Sequence, residues 1–360
     1  MPSDRPRPSP YRLLGLLGGV GLAGLAAAAF VHQQRQKAQR HARNQMVQVA
    51  VLGAGVVGST YALYLARAGM DVTLLARGGR YVALRDRGLI VRDLLTRRRL
   101  RWAQRPAPVR VVSALPHGAA FDLVIVAVRS TQMMDMLDTL KSLDPTTPVV
   151  FMQSDPGIVG ALIQALGEPS VLLGFPATGG SRTQDTVYSL PLWTGATILG
   201  ESDGSSTPRL RQAAAVLRHA GLKVEIQRQM LPWLRTHAAM RVALAGVVRR
   251  NGGVRAIARD SGEIMLYLGA LREALTVLEA SGTPVTPAAH KAALQGPRWL
   301  QRLLVRAASL PYWVETVVDD MVRSSDDELR RAHAHLLTLA EEAGMETPLL
   351  TFLAPQGIEV

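Results

Sequence analysis

The chain has 360 residues, 48% of them hydrophobic, with 41 basic residues against 28 acidic and a formal net charge of +13. An apolar fraction of that size belongs to a globular protein, and the length suits two ordinary domains, so wholesale disorder is excluded. There is no cysteine, which excludes disulfides, thiolate zinc sites, iron–sulfur clusters and a cysteine nucleophile.

The basic excess is compositional. Only Lys37, Lys141, Lys223 and Lys291 are lysines, and arginine, alanine, glycine and proline are all abundant, as in GC-rich coding. Close to half of the net charge sits in residues 1–45. The cluster Arg97-Arg98-Arg99-Leu100-Arg101-Trp102 reads as a solvated hairpin in an insertion. A nucleic-acid face needs several phosphate contacts spread along a surface, so no nucleic-acid partner is expected.

The first element in chain order is an uncharged apolar run from Leu13 to Val31, flanked by Arg5, Arg7 and Arg12 and then by Arg35, Lys37, Arg40 and Arg43. Its length is about that needed to cross a ~30 Å hydrocarbon core. Three readings stay open: a membrane anchor at residues 13–31, a cleaved signal peptide, or translation that begins at Met46.

From Val47 the pattern is that of an α/β domain. An apolar strand ends at Leu52 and is followed by Gly53-Ala54-Gly55-Val56-Val57-Gly58, then a helical stretch, then a second strand from Asp71. This is G-x-G-x-x-G between strand and helix, the dinucleotide-binding arrangement. Gly53 makes the tight turn, Gly55 admits the pyrophosphate, Gly58 lets helix and strand pack, and the helix N-terminus offers free N–H groups to phosphate. The second strand ends at Ala76-Arg77, where an NAD enzyme places a carboxylate on the ribose. Arg77 and Arg80 instead suit a 2′-phosphate, so the expected cofactor is NADP. A dinucleotide enzyme outside the cytoplasm would lack its cofactor. The expected location is therefore cytoplasmic, with inner-membrane anchoring if residues 13–31 are present and retained.

A helix, a strand near Leu89–Val91, the buried strand Asp122–Val128, a helix near Thr131–Lys141 and a strand at Pro148–Met152 follow. Next come the turn Ser154-Asp155-Pro156-Gly157, a helix near Ile158–Leu166 and the strand Val171–Gly174. Such alternation predicts a Rossmann-like, doubly wound parallel sheet over residues 46–228. Residues 229–360 read as an all-helical domain for substrate binding or dimerisation, with helices including Ile264–Leu278 and Trp299–Ala307. Trp299, Tyr312 and Trp313 read as helix-packing residues. Asp326-Asp327-Glu328 reads as an acidic helix start. His333 and His335 lack metal-ligand spacing, so no metal is expected.

Several segments together carry a resemblance to the ketopantoate reductase (2-dehydropantoate 2-reductase) family. They are VQVAVLGAGVVGSTYALYLARAGMDVTLLARGGRYVALRDRGL, FDLVIVAVRSTQ, VVFMQSDPG, ATILGESDG, LPWLRTHAAMRVALAG and DDELRRAHAHLLTLAEEAGMETP. The resemblance implies NADPH-dependent reduction of an α-keto acid to the hydroxy acid, as in pantothenate biosynthesis, in a cleft between a Rossmann domain and a helical domain. It implies cofactor contacts at the three glycines, Ala54, Val56, Val57, Arg77, Arg129 (a lysine in the family) and Ser154 (an asparagine in the family). The proton-donating lysine falls on Arg235, and two asparagines of the same helix fall on Ala239 and Ala243. In the late segment the family's two serines fall on Glu315 and Thr316. Asp320 and Glu328 match. Thr316 and Asp320 are thereby implied in substrate binding, and Arg235 and Glu328 in catalysis.

The cofactor half thus keeps the family's pattern and the substrate half departs from it. A desolvated ammonium can release a proton to a forming alkoxide, whereas a guanidinium polarises or clamps and is a poor donor. His237 is the nearest alternative acid in sequence, although i and i+2 do not share a helix face. Two functions remain. One is an NADPH-dependent oxidoreductase acting on a small carbonyl compound; the other is an NADPH-binding sensor or scaffold that has lost catalysis. A homodimer is left open.

Overall fold

The computed structural model describes residues 46–96, 108–190, 195–309 and 311–355. The apolar run Leu13–Val31 and the cluster Arg97–Trp102 lie outside the described residues. From Val47 on, the chain forms one compact unit. Among the described residues no helix is long and apolar enough to cross a membrane.

The strands, in chain order, are β1 (Gln48–Leu52), β2 (Asp71–Leu75), β3 (Ile90–Asp93), β4 (Val109–Val112), β5 (Leu123–Val126) and β6 (Val149–Met152). They continue with β7 (Leu172–Phe175), β8 (Gly180–Arg182), β9 (Thr186–Ser189), β10 (Thr197–Glu201) and β11 (Val224–Ile226). The main sheet has the order β11-β10-β7-β6-β5-β1-β2-β4. All of its pairs are parallel except β7–β10, so the parallel sheet expected from the sequence turns antiparallel at one place near its edge. β3 leaves this sheet and pairs with β9, beside β8, in a small second sheet. Strands covered on both faces need apolar residues at every position, and Leu123–Val126 is buried throughout for that reason.

Strand order reverses beside β1, between β2 on one side and β5 on the other. That is the switch point at which open α/β sheets bind ligands, outside the carboxyl ends of the strands. Helix α1 (Val56–Arg67) starts there. It is held by Tyr61, whose buried hydroxyl meets Thr197 Oγ1 at 2.6 Å and accepts the Ala177 N–H at 3.2 Å. Burial pushes that phenol up to about 12. α2 (Gly78–Arg87) follows β2. The helix expected near Thr131–Lys141 is instead two short 3-10 turns, Ser130–Gln132 and Met134–Met136, leading into α3 (Leu137–Lys141). α4 (Ile158–Leu166) and α5 (Pro208–His219) complete the layers.

Beyond β11 the chain is helical: α6 (Met230–Asn251), α7 (Val254–Arg259), α8 (Ser261–Ala280), α9 (Ala289–Gln295) and α10 (Arg298–Ser309), then α11 (Tyr312–Ser324), α12 (Asp326–Glu342) and α13 (Pro348–Phe352). α6 packs on both α8 and α12, and its first turns, at Met230 and Leu234, are buried with the strand residues of the sheet. One long helix thereby ties the two halves together. The apolar side of α10 does not pack as the sequence implied: Trp299 is 67% exposed, and Leu303 and Leu304 are exposed beside it. The helix is amphipathic, but that stripe points outward.

Candidate functional site

The glycine-rich turn has the shape its spacing implies. Gly53 has φ +106°, and a Cβ there would come within 2.7 Å of the Ala127 carbonyl oxygen. A Cβ on Gly58 would lie 1.8 Å from the Gly53 carbonyl oxygen. On Gly55 it would meet nothing within 4 Å. Two of the glycines are therefore required by the protein's own backbone, and the third leaves open space in front of the N-terminus of α1. That terminus has neither a side-chain cap nor an acidic residue in its first turn. Unspent N–H groups, a positive helix end and an open approach fit a pyrophosphate. Ala54, Val56 and Val57 complete the turn.

Arg77 stands exposed at the start of α2, just beyond β2. Arg80 is not available for the ribose phosphate in the way the sequence implied. Its Nε donates to the Ala54 carbonyl oxygen (3.2 Å), its Nη1 to that of Gln184 (3.1 Å) and its Nη2 to Ser59 Oγ (3.4 Å). It braces the glycine-rich turn against the β8–β9 connection.

The loops after β5 and β6 meet α12 at a buried polar junction. Glu328, in the first turn of α12, receives the Ser130 N–H at 2.9 Å and the Ser130 hydroxyl at 3.1 Å on Oε1, and the Ser154 hydroxyl at 3.4 Å on Oε2. Ser130 follows Arg129 after β5, and Ser154 opens the turn after β6. Arg331 Nη2 donates to Ser130 Oγ (2.8 Å) and lies 3.5 Å from Asp155 Oδ2. From α6, buried Arg241 donates to the Ser154 carbonyl oxygen (3.1 Å) and to Met321 Sδ (3.4 Å). Burial lowers its pKa, opposed by the charges of Glu328 and Asp155. The acidic start of α12 is as expected, with Asp326 binding both Arg249 (2.7 Å) and Arg330 (2.6 Å).

Beside this junction lies a cavity of about 610 Å³. Arg235 lines it from α6, with Ala238 and Ala239; Arg331 and His335 line it from α12, and Ser130 and Asp155 from the strand ends. The remaining wall is largely apolar, including Ile158, Leu278 and Leu336. Arg235 Nη1 donates to Thr283 Oγ1 at 3.0 Å.

The expected residues are thus only partly brought together. Glu328 and Ser154 touch, and Arg235 faces the cavity next to them, but Arg235 and Glu328 share no hydrogen bond. Asp320, on α11, is raised by burial and opposed by the charges of Arg323 and Arg129, which places it in the field of Arg129. Neither Thr316 nor Asp320 lines the cavity. Ala243 is fully buried in the helical core.

His237 packs in an aromatic cluster, partly buried. Its ring stacks on Trp233 at 5.3 Å and meets Phe175 edge-on at 4.4 Å. Burial, with the positive charges of Arg241 and His290 adding to it, depresses its pKa from 6.5 to about 3. The unfolded chain therefore binds the extra proton first. Stability is expected to fall as pH drops from about 6.5 towards about 3, and His237→Phe should flatten that part of the profile. Denaturant melts of both proteins across that range check it; parallel pH profiles would overturn the assignment.

Sequence reasoning missed Arg241 and Arg331. Both carried a readable signal. Arg241 falls on the buried stripe Leu234, Ala238, Ala245 and Val248 of α6, where a charge needs a buried partner. Arg331 lies three residues beyond Glu328, on the same helix face.

A doubly wound dinucleotide fold joined to a helical domain, with a cavity where the strand ends meet the helices, defines the class. The family model described as Ketopantoate reductase PanE/ApbA matches residues 49–204, which places that segment in the ketopantoate reductase family, as the sequence motifs implied. A 2-dehydropantoate 2-reductase of Pyrococcus horikoshii is 27% identical over 192 residues, covering 52% of this chain and 58% of that protein. The alignment thus spans less than two thirds of the relative. In fold the likeness runs further. The 2-dehydropantoate 2-reductase of Geobacter metallireducens GS-15 superposes with a TM-score of 0.68 at 20% identity, over 85% of this chain and 97% of that one. D-mandelate dehydrogenase, solved with NADH and anilino(oxo)acetate, gives 0.66 at 15% identity, over 85% and 96%.

Proposed function

We propose that the protein is an NADPH-dependent oxidoreductase that reduces the carbonyl of an α-keto acid, ketopantoate or a related compound, to the hydroxy acid. The observation that carries this reading is the cavity lined by Arg235 and Arg331 at the carboxyl ends of β5 and β6. It lies at the end of the sheet where the glycine-rich turn would hold a dinucleotide. The named activities of the relatives point the same way.

Gly53, Gly55, Gly58 and the α1 N-terminus would hold the pyrophosphate, and Arg77 the 2′-phosphate. NADPH would supply the hydride. Glu328 fixes Ser130 and Ser154, so it sets the two loops against which the reacting end of the cofactor would rest. Arg235 would polarise the carbonyl or hold the carboxylate, since a guanidinium makes a poor proton donor. Arg129, Thr316 and Asp320 lie outside the cavity lining and would act from its surroundings.

The test is titration of the full-length protein with NADPH, followed by loss of nicotinamide absorbance with a panel of α-keto acids that includes ketopantoate. NADPH binding with turnover supports the reading. Binding with no turnover on any of them would overturn it in favour of the sensor or scaffold, and no binding would overturn both. Arg77→Ala is expected to weaken NADPH by tens of fold, a charge-assisted phosphate contact contributing about 2–3 kcal/mol, and to leave NADH unchanged. Equal losses for the two cofactors would refute the 2′-phosphate role.

A further inference from the structure

We propose that α12 carries a substrate site of its own: Arg331 binds the carboxylate of a 2-oxo acid and His335 donates the proton to its carbonyl oxygen. This rests on the reductase reading above and names the group that replaces the missing lysine. Glu328, Arg331 and His335 are spaced i, i+3 and i+7, so one face of α12 presents all three. Glu328 ends in the loop junction; Arg331 and His335 both line the cavity. Among the described residues Arg331 is engaged through Nη2, by Ser130 and Asp155, which leaves the two N–H donors of Nη1 for a charge-assisted contact with a carboxylate.

That carboxylate would sit next to Ser130, with its neighbouring carbonyl directed along α12 towards His335, one helical turn on from Arg331. In the balanced step, hydride adds to the carbonyl carbon, the C=O π pair moves to oxygen, and the imidazolium N–H proton completes the hydroxyl. His335 is an exposed imidazole and can regain its proton from water. The charged groups sharing the cavity with it are Asp155, Arg235 and Arg331. The cavity's other walls, at Ile158, Leu278 and Leu336, suit an apolar substituent. With alanine at 239 no amide is offered there to a substrate hydroxyl, so branched or aromatic 2-oxo acids should exceed ketopantoate in kcat/KM.

The experiment uses the full-length protein, 4-methyl-2-oxopentanoate and its neutral 2-oxo amide. His335→Gln should lower kcat about 100-fold or more, the usual contribution of a general acid. It should also abolish the fall in kcat with rising pH expected of a wild type that relies on this acid, with NADPH affinity unchanged. Arg331→Met should raise KM for the acid at least tenfold and raise it far less for the amide. Wild-type turnover with His335→Gln retaining both rate and pH profile, or with Arg331→Met affecting acid and amide alike, would overturn this site. Absence of any wild-type turnover would instead sink the reductase reading itself.

Discussion

Glu328→Ala is expected to destabilise the protein by about 3–5 kcal/mol, the usual cost of removing one side of a buried charged network. Alanine would leave the Ser130 N–H and the hydroxyls of Ser130 and Ser154 without their acceptor. It would also strip Arg241, nine-tenths buried, of one of the two carboxylates whose charge favours it. For a chain of this size that loss corresponds to a fall in Tm of roughly 10 °C. Glu328→Gln, which keeps one acceptor oxygen but no charge, should fall between. Arg241→Met removes the other charge, so the double variant Glu328→Ala/Arg241→Met should cost less than the two singles added together. Denaturant melts of the four proteins measure the coupling. Additive losses, or a Glu328→Ala variant that melts with the wild type, would show that the junction does not hold the loops.

The legibility of this molecule divides by sequence distance. The glycine-rich turn was readable because its three glycines lie within six residues, and each answers to a local demand of turn, approach or packing. The strands were readable because a strand covered on both faces admits only apolar side chains, as at Leu123–Val126. The 3-10 turns at Ser130–Gln132 and Met134–Met136 were not readable, because the apolar periodicity of Thr131–Lys141 fits one helix equally well and tertiary contacts decide. Arg80 misled for a similar reason. Its position suits a phosphate, but its hydrogen bonds go to Gln184 and to the Ala54 carbonyl oxygen, and nothing local announces a partner a hundred residues away.

The site itself joins residues whose separation in sequence hides their meeting. Ser130 and Glu328 stand 198 positions apart, and only the resemblance to a known family singled out Glu328 beforehand. That resemblance also directed attention to the start of α6, where lysine and asparagine have become Arg235, Ala239 and Ala243. The structure adds Arg241 on the same helix and Arg331 on α12, positions that the resemblance did not single out. Arginine abundance, which first looked like composition alone, is therefore of two kinds here. Arg77 and Arg129 stand exposed near the strand ends, whereas Arg241 is a desolvated cation built into the joint between the halves.

The second large effect is expected at the glycine-rich turn, and it separates two roles that a single motif combines. Gly58→Ala would put a methyl group 1.8 Å from the Gly53 carbonyl oxygen, a backbone atom that cannot swing aside. The start of α1 must then move off β1, at a cost of about 1–3 kcal/mol for overpacking. The helix N–H groups would move with it, and NADPH affinity should fall by about 100-fold. Gly55→Ala places its methyl group in open space, with nothing within 4 Å, so Tm should stay within a degree of the wild type. The same methyl group occupies the approach to the α1 N-terminus, and NADPH affinity should fall by a comparable factor. Thermal melts without cofactor, paired with NADPH titrations of both variants, read the two effects independently. If Gly55→Ala bound NADPH as the wild type does, the pyrophosphate would have to lie elsewhere, however well the turn is formed.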